Sequence, residues 1–254
     1  MSYRTALLGF CLSLRLLAQG GLFEPRIAVI AKGEQGLWQV RGIWGGFTLA
    51  PVKPDPVVSG AFTGQSGAVK LQDQLILLNE SLEETSVLPA PPGRALFGFA
   101  PGGALKAVWY PEAKRIDLIA EGLAVDTSLW AGDPISIAVV QGQSLKAAIL
   151  RDDDVWLLEA DFVTGAVQCS MLLPDVKPPV LVRPDASVVF FRDGALIVRD
   201  AEGIERAVPA PPADAIGEAG KDALVVRSGS SFYLVRLEAE RLQIFPLPNS
   251  RRQQ

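Results

Sequence analysis

Apolar residues along this chain fall in short runs separated by polar or Gly/Pro punctuation, and no stretch keeps a helical period for long. Residues 94–130 show the pattern most plainly: "RALFGFA" (94–100), "LKAVWY" (105–110), "RIDLIA" (115–120) and "AVDTSLW" (124–130), broken by "PGG" and "PEAK". Runs of this length, rich in Val, Ile, Leu, Phe and Trp and bounded by turn residues, predict strands, because a helix needs a longer apolar pattern. The next stretch repeats the series as "ISIAVV", "LKAAIL", "VWLLEA" and "VQCSMLL", and the one after as "PVLVR", "SVVFF", "ALIVR" and "ERAVPA".

The series has a stride. Aligning "GLWQVRG" (36–42), "QLILLNE" (74–80), "RIDLIAE" (115–121), "VWLLEAD" (155–161), "ALIVRDA" (195–201) and "FYLVRLE" (232–238) matches Val40, Leu78, Ile119, Leu158, Val198 and Val235, at intervals of 38, 41, 39, 40 and 37 residues. A period near 40 sustained over six copies is the mark of a repeat architecture. "FFRDGALIV" (190–198) is then the hairpin between the second and third strands of the fifth copy, with Asp193-Gly194 suited to a two-residue turn of positive φ. Its counterparts "KGEQG", "LQDQ", "PEAK", "RDDD" and "SGSS" are all polar, as turns facing solvent should be. Proline-rich linkers such as "LAPVKPDP" (49–56), "VLPAPPG" (87–93), "LLPDVKPP" (172–179) and "VPAPPAD" (208–214) close most copies, because proline cannot extend a ladder.

Four short strands and a linker, repeated, describe a propeller blade. Over residues 24–249 the pattern resembles the β-propeller repeat superfamily, and the expected fold is all-β: a six-bladed β-propeller of four-stranded antiparallel blades. The resemblance stops at the superfamily. The Trp-Asp and Gly-His signatures of WD40 repeats are missing, as is a regular Gly-Trp signature of the quinoprotein type, and the blade position shared by Trp38 and Trp156 holds Ile76, Asp117, Leu196 and Tyr233 in the other copies. The resemblance therefore implies a shape and leaves the ligand open. The first copy is short. "RIAVIA" (26–31), "LWQVRG" (37–42) and "FTLAP" (47–51) supply its second, third and fourth strands, and the inner strand would have to come from "LLAQGGLF" (16–23).

Those residues have a competing assignment. "MSYRTALLGFCLSLRLLA" places Arg4 ahead of an apolar run, Thr5 to Leu14, with Ala18 as the small residue before "QGG", the layout of a secretory signal peptide. The expected organisation is a cleaved segment 1–18 and one propeller domain over 19–254, secreted or periplasmic, with a first blade whose inner strand is weak or missing; retained residues would mean a cytoplasmic protein with a complete first blade. The run is far shorter than the ~20 residues that span a bilayer, and no later segment is longer, so no transmembrane segment is expected in the mature chain. Cleavage lowers the net charge by two, from −4 to −6, and leaves Cys169 without an internal disulfide partner. With a pI near 5.0 and no basic cluster, nucleic acid is not an expected partner.

The chain has no histidine, which removes Ser-His-Asp and Cys-His catalysis and His-ligated metal sites. "GQSGA" (64–68) approaches a nucleophile elbow but ends in Ala68 and reads as an ordinary turn. "GEAGKD" (217–222) resembles part of a phosphate loop with the wrong glycine spacing, and reads as a solvated loop. The adjacent acids of "RDDD" (151–154) lack the alternate spacing of a calcium loop, and "NES" (79–81) matches a glycosylation acceptor of high chance frequency. No metal site and no cofactor are expected.

In propellers, the blade linkers and the turns between second and third strands open on one face. By that analogy a binding surface gathers Arg94, Trp130, Asp133, Asp152, Asp153, Asp154, Lys177 and Asp214. The expected function is an exported binding or scaffold module offering this face to a protein, peptide or glycan. The alternative is a carbohydrate-active hydrolase or lyase, which needs two inward carboxylates at a fixed separation, one of them desolvated. Three expected inner strands, "ALFGFA", "SIAVV" and "VLV", carry no acid, which favours the binding module.

Overall fold

A computed structural model describes residues 24–248 apart from 54, 121, 126, 128, 129, 141–143 and 239–241. Residues 1–18, expected to form a signal peptide, and the competing inner-strand stretch 16–23 lie outside the described residues. The strands fall into six separate antiparallel sheets, taken in chain order. The first holds β1 (Arg26–Ala31), β2 (Leu37–Ile43) and β3 (Gly46–Lys53), and the second β4 (Ser59–Phe62), β5 (Ser66–Lys70), β6 (Gln74–Asn79) and β7 (Glu84–Pro89). The third holds β8 (Leu96–Phe99), β9 (Leu105–Tyr110), β10 (Arg115–Leu118) and β11 (Leu123–Val125), and the fourth β12 (Asp133–Val140), β13 (Ser144–Arg151), β14 (Asp154–Asp161) and β15 (Val167–Leu173). The fifth holds β16 (Lys177–Val182), β17 (Val188–Arg192), β18 (Ala195–Arg199) and β19 (Glu205–Pro209), and the sixth β20 (Ala215–Gly220), β21 (Ala223–Ser228), β22 (Ser231–Arg236) and β23 (Gln243–Pro246). Among the described residues no helix is long and apolar enough to cross a membrane.

The sheets close into a ring because each buries both faces against its neighbours. In β17, Val188 and Phe190 pack with Val155 and Leu157 of the fourth sheet, while Val189, pointing the other way, packs with Leu224 and Val226 of the sixth. That is the two-residue period of a strand covered on both sides. Equivalent clusters join every adjacent pair, including the closing contact of Ala28, Ile30 and Val40 with Ala219, Leu234 and Leu247 between the first and sixth sheets. The molecule is a six-bladed β-propeller.

The first blade departs from the others in a way its sequence foreshadows. Ile27 and Ala28, early in β1, lie against Gly220 at the end of β20, and Gly33, just past the end of β1, accepts a hydrogen bond from Val57 ahead of β4. So β1 runs opposite to β4 and β20, in the direction of a second strand. Among the described residues this blade has three strands, the second, third and fourth of the pattern. The inner strands β4 and β20 of the flanking blades touch across it and narrow the gap.

The fifth-blade hairpin forms as its residues dictate. Arg192 pairs with Ala195, leaving Asp193 (φ 52°) and Gly194 (φ 76°) as a two-residue turn in the left-handed region. This turn, its counterparts and the interblade linkers lie together on one end of the ring, here the linker face. The hairpins between inner and second strands lie on the other, the hairpin face.

Candidate functional site

A channel of about 360 Å³ runs along the axis, bounded by residues of all six blades. Its wall is mainly apolar, with Val29, Phe97, Ile135, Leu181, Ile216 and Phe232 among the lining residues. The charged side chains on it are Arg94, Arg227 and Glu218 among the described residues. The arginines stand at the linker-face end, just ahead of β8 and near the end of β21, and Glu218 sits on β20 toward the hairpin face.

Glu218 is the buried acid among the described residues, 6% exposed, and Arg183, just beyond β16, donates from Nε to its Oε1 at 2.8 Å. Burial pushes the Glu218 carboxyl above its ordinary range, outweighing the attraction of Arg183. Burial also acts to lower the Arg183 guanidinium, but Glu218, Asp185 and Asp222 together more than reverse it, so its pKa is raised. A second acid, Asp185, takes a hydrogen bond from Arg183 Nη1 at 2.8 Å through Oδ2, while its Oδ1 accepts from the Ser187 N–H and hydroxyl. These groups line a pocket of about 300 Å³ at the hairpin-face mouth, together with Thr63, Gly103 and Lys221. Both carboxylates are held by one guanidinium, and each oxygen of Asp185 is already engaged, which is a structural clamp between blades 5 and 6.

On the linker face the expected residues separate into groups. Asp152 and Asp153, with φ of 50° and 67°, form the turn between β13 and β14, and Asp154 opens β14. Lys177 at the start of β16 reaches them, donating to the Asp153 carbonyl at 2.7 Å and approaching Asp154 Oδ1 at 3.7 Å. Asp133, at the start of β12, faces Lys114 Nζ at 3.5 Å. Arg94 lies at the channel mouth. Asp214, just ahead of β20, donates its N–H to the Arg227 carbonyl, and its carboxylate accepts from Gly229 N–H. Trp130 is not a surface residue. It is fully buried among Ile137, Leu145 and Phe162, with Nε1 donating to the Gly165 carbonyl at 2.9 Å, because the linker after β11 folds its indole between blades 3 and 4.

Asp133 and Asp152 share an open depression of about 700 Å³ between blades 3 and 4 with Trp109, Lys114, Arg115, Thr127 and Arg151. Arg115 is forked onto Asp117, and Arg151 stacks over Trp156 with its Nε on the Ala131 carbonyl, so this rim is a set of pre-positioned charges. Trp109 is 1% exposed and its Nε1 has no hydrogen-bond partner among the described residues. Such a group is uncommon in a folded protein.

The other motifs resolve into structure. "GEAGKD" is the end of β20 and a turn, with no helix following it, and the Ser66 hydroxyl of "GQSGA" is bonded to the Gly103 carbonyl. Both atoms of the Asn79 amide are used within its own turn, by Ser81, Glu83 and the Glu83 carboxylate. No group of three or more His, Cys, Asp or Glu able to hold a metal is present among the described residues.

No protein-family model matches the chain, and no curated protein matches it. Solved structures do. TolB from Acinetobacter baumannii shares the architecture. It aligns with a TM-score of 0.56 at 13% identity over 93% of this chain and 70% of that one. A streptogramin B lyase aligns with a TM-score of 0.49 at 12% identity, covering 90% and 85% of the two chains, and virginiamycin B lyase from Staphylococcus aureus with 0.48 at 14%, covering 90% and 86%. Identity this low establishes the propeller fold alone.

Sequence reasoning missed Arg183, Glu218, Arg227 and Trp109. Glu218 left one sign, an acid in the middle of "AIGEAG", an otherwise uncharged inner strand. Trp109 left none, since a tryptophan in "LKAVWY" reads equally well as core.

Proposed function

We propose that the protein is an exported propeller-based binding module that takes a protein, peptide or glycan partner on its linker face, in the depression between blades 3 and 4. The observation that carries this reading is the open depression of about 700 Å³ rimmed by the pre-positioned charges of Lys114, Arg115, Arg151, Asp133 and Asp152. A peptide or sugar lays its polar groups against the rim charges, which are already held by neighbours and lose little entropy on binding. The hydrolytic alternative is less well supported, because Glu218 and Asp185 are clamped by Arg183 and Asp185 has no oxygen left to activate water.

Export follows from the layout of residues 1–18, and intact-mass analysis of the protein from its host envelope tests it: a start at Gln19 supports export, and retained Met1 contradicts it. Peptide and glycan arrays test the face. Signals given by the wild-type protein should be lost in Lys114→Glu and Asp152→Lys and kept in Lys221→Glu on the hairpin face. Loss only in Lys221→Glu would place the working face at the opposite mouth.

A further inference from the structure

The axial channel is chemically asymmetric. At its linker-face end, Arg94 and Arg227 line the opening, are exposed, and make no side-chain hydrogen bond or ion pair among the described residues. Eight of the other described cations, Lys53, Arg183, Arg192 and Arg199 among them, sit on a carboxylate, and these two do not. Behind the two arginines the wall is apolar, through Val58, Phe97, Ile135, Leu181, Ile216 and Phe232. At the far end the Glu218 carboxylate lines the channel, occupied on one oxygen by Arg183.

A volume of about 360 Å³ with apolar walls and a few polar groups at one end is the make-up of a small-molecule site. We propose that the channel binds an anionic amphiphile, a carboxylate or phosphate on an alkyl chain, which enters tail first from the linker face and leaves its head on Arg94 and Arg227. The polarity of the channel fixes the orientation. An anion carried inward would leave two cations and approach Glu218, whereas the tail meets a mainly apolar wall, and arginine presents the forked donors that match either head group. This site is separate from the depression between blades 3 and 4, so either can fail without the other.

Isothermal titration of the full chain with decanoate, decyl phosphate and decanol, each below its micelle-forming concentration, tests the proposal. Binding of either anion with decanol at least about tenfold weaker supports it. The better of the two anions separates a fatty-acid source from a phosphate-headed one. Octanoate should bind decanoate's site about tenfold more weakly, from the loss of two buried methylenes. Arg94→Gln and Arg227→Gln, both at exposed positions and checked for unchanged melting temperature, should each weaken decanoate about tenfold and leave decanol unchanged. Ile216→Trp, which fills the lumen, should abolish binding of all three. No binding of either anion, equal affinity for decanol, or full retention of decanoate in both arginine variants would overturn the assignment.

Discussion

Arg183 Nε and Glu218 Oε1 lie 2.8 Å apart and tie the end of the fifth blade's inner strand to the inner strand of the sixth. Removing one partner strands the other in a site with little access to water, so Glu218→Ala or Arg183→Ala should each cost about 3–5 kcal/mol by urea denaturation, and an Arg183→Met/Glu218→Leu double variant much less. Because burial raises the Glu218 carboxyl, the folded chain holds its proton at pH values where the unfolded chain has released it. Its contribution is complete below the ordinary glutamate range and falls as pH rises from there through the elevated folded value. Asp222, raised by burial and then by its bond to Glu238, acts in the same direction. Glu218→Gln should flatten the fall of stability across that window, and an unchanged profile would contradict the assignment.

Gly194 supplies φ of 76° at a turn where a Cβ would meet nothing within 4 Å. Gly194→Ala should therefore cost about 1–2 kcal/mol from backbone strain alone, without the larger penalty of a clash, as read from the denaturation midpoint.

That turn, the polar counterparts around the ring, the proline linkers and the blade stride were all legible in the sequence, because each is a local constraint: strand period, positive φ, or a missing N–H. The direction of β1 was legible too, since "RIAVIA" carries the phase of a second strand. The candidate site was legible only in part. Asp152, Asp153, Asp154 and Lys177 are brought together because a turn and a linker of adjacent blades share a face, but Trp130 went to the core. The Arg183–Glu218 clamp joins residues 35 apart through ring geometry, which no local pattern encodes.

Trp130 provides its own check. Trp130→Phe removes the donor to the Gly165 carbonyl and should cost about 1 kcal/mol, whereas Trp130→Ala empties the space between blades 3 and 4 and should cost about 3–5 kcal/mol. A surface role would make both changes nearly neutral in a thermal melt.

Tyr110 is 1% exposed, and burial, with help from Asp117, pushes its phenol from an ordinary 10.0 up to about 12. The folded state keeps the proton that the unfolded state gives up above pH ~10, so stability should fall as pH rises from there toward about 12. Ultraviolet titration should show one tyrosine ionising late or together with unfolding, and Tyr110→Phe should abolish that late step. Early ionisation of every tyrosine would contradict the burial.

The central functional claim is that the linker face is the working face of the propeller. Photo-crosslinking in the host cell, with a photoreactive residue placed at Asp152 or at Ala186 on the hairpin face, tests it most directly. The account predicts adducts of defined mass from position 152 and none from position 186; adducts confined to position 186 would contradict it.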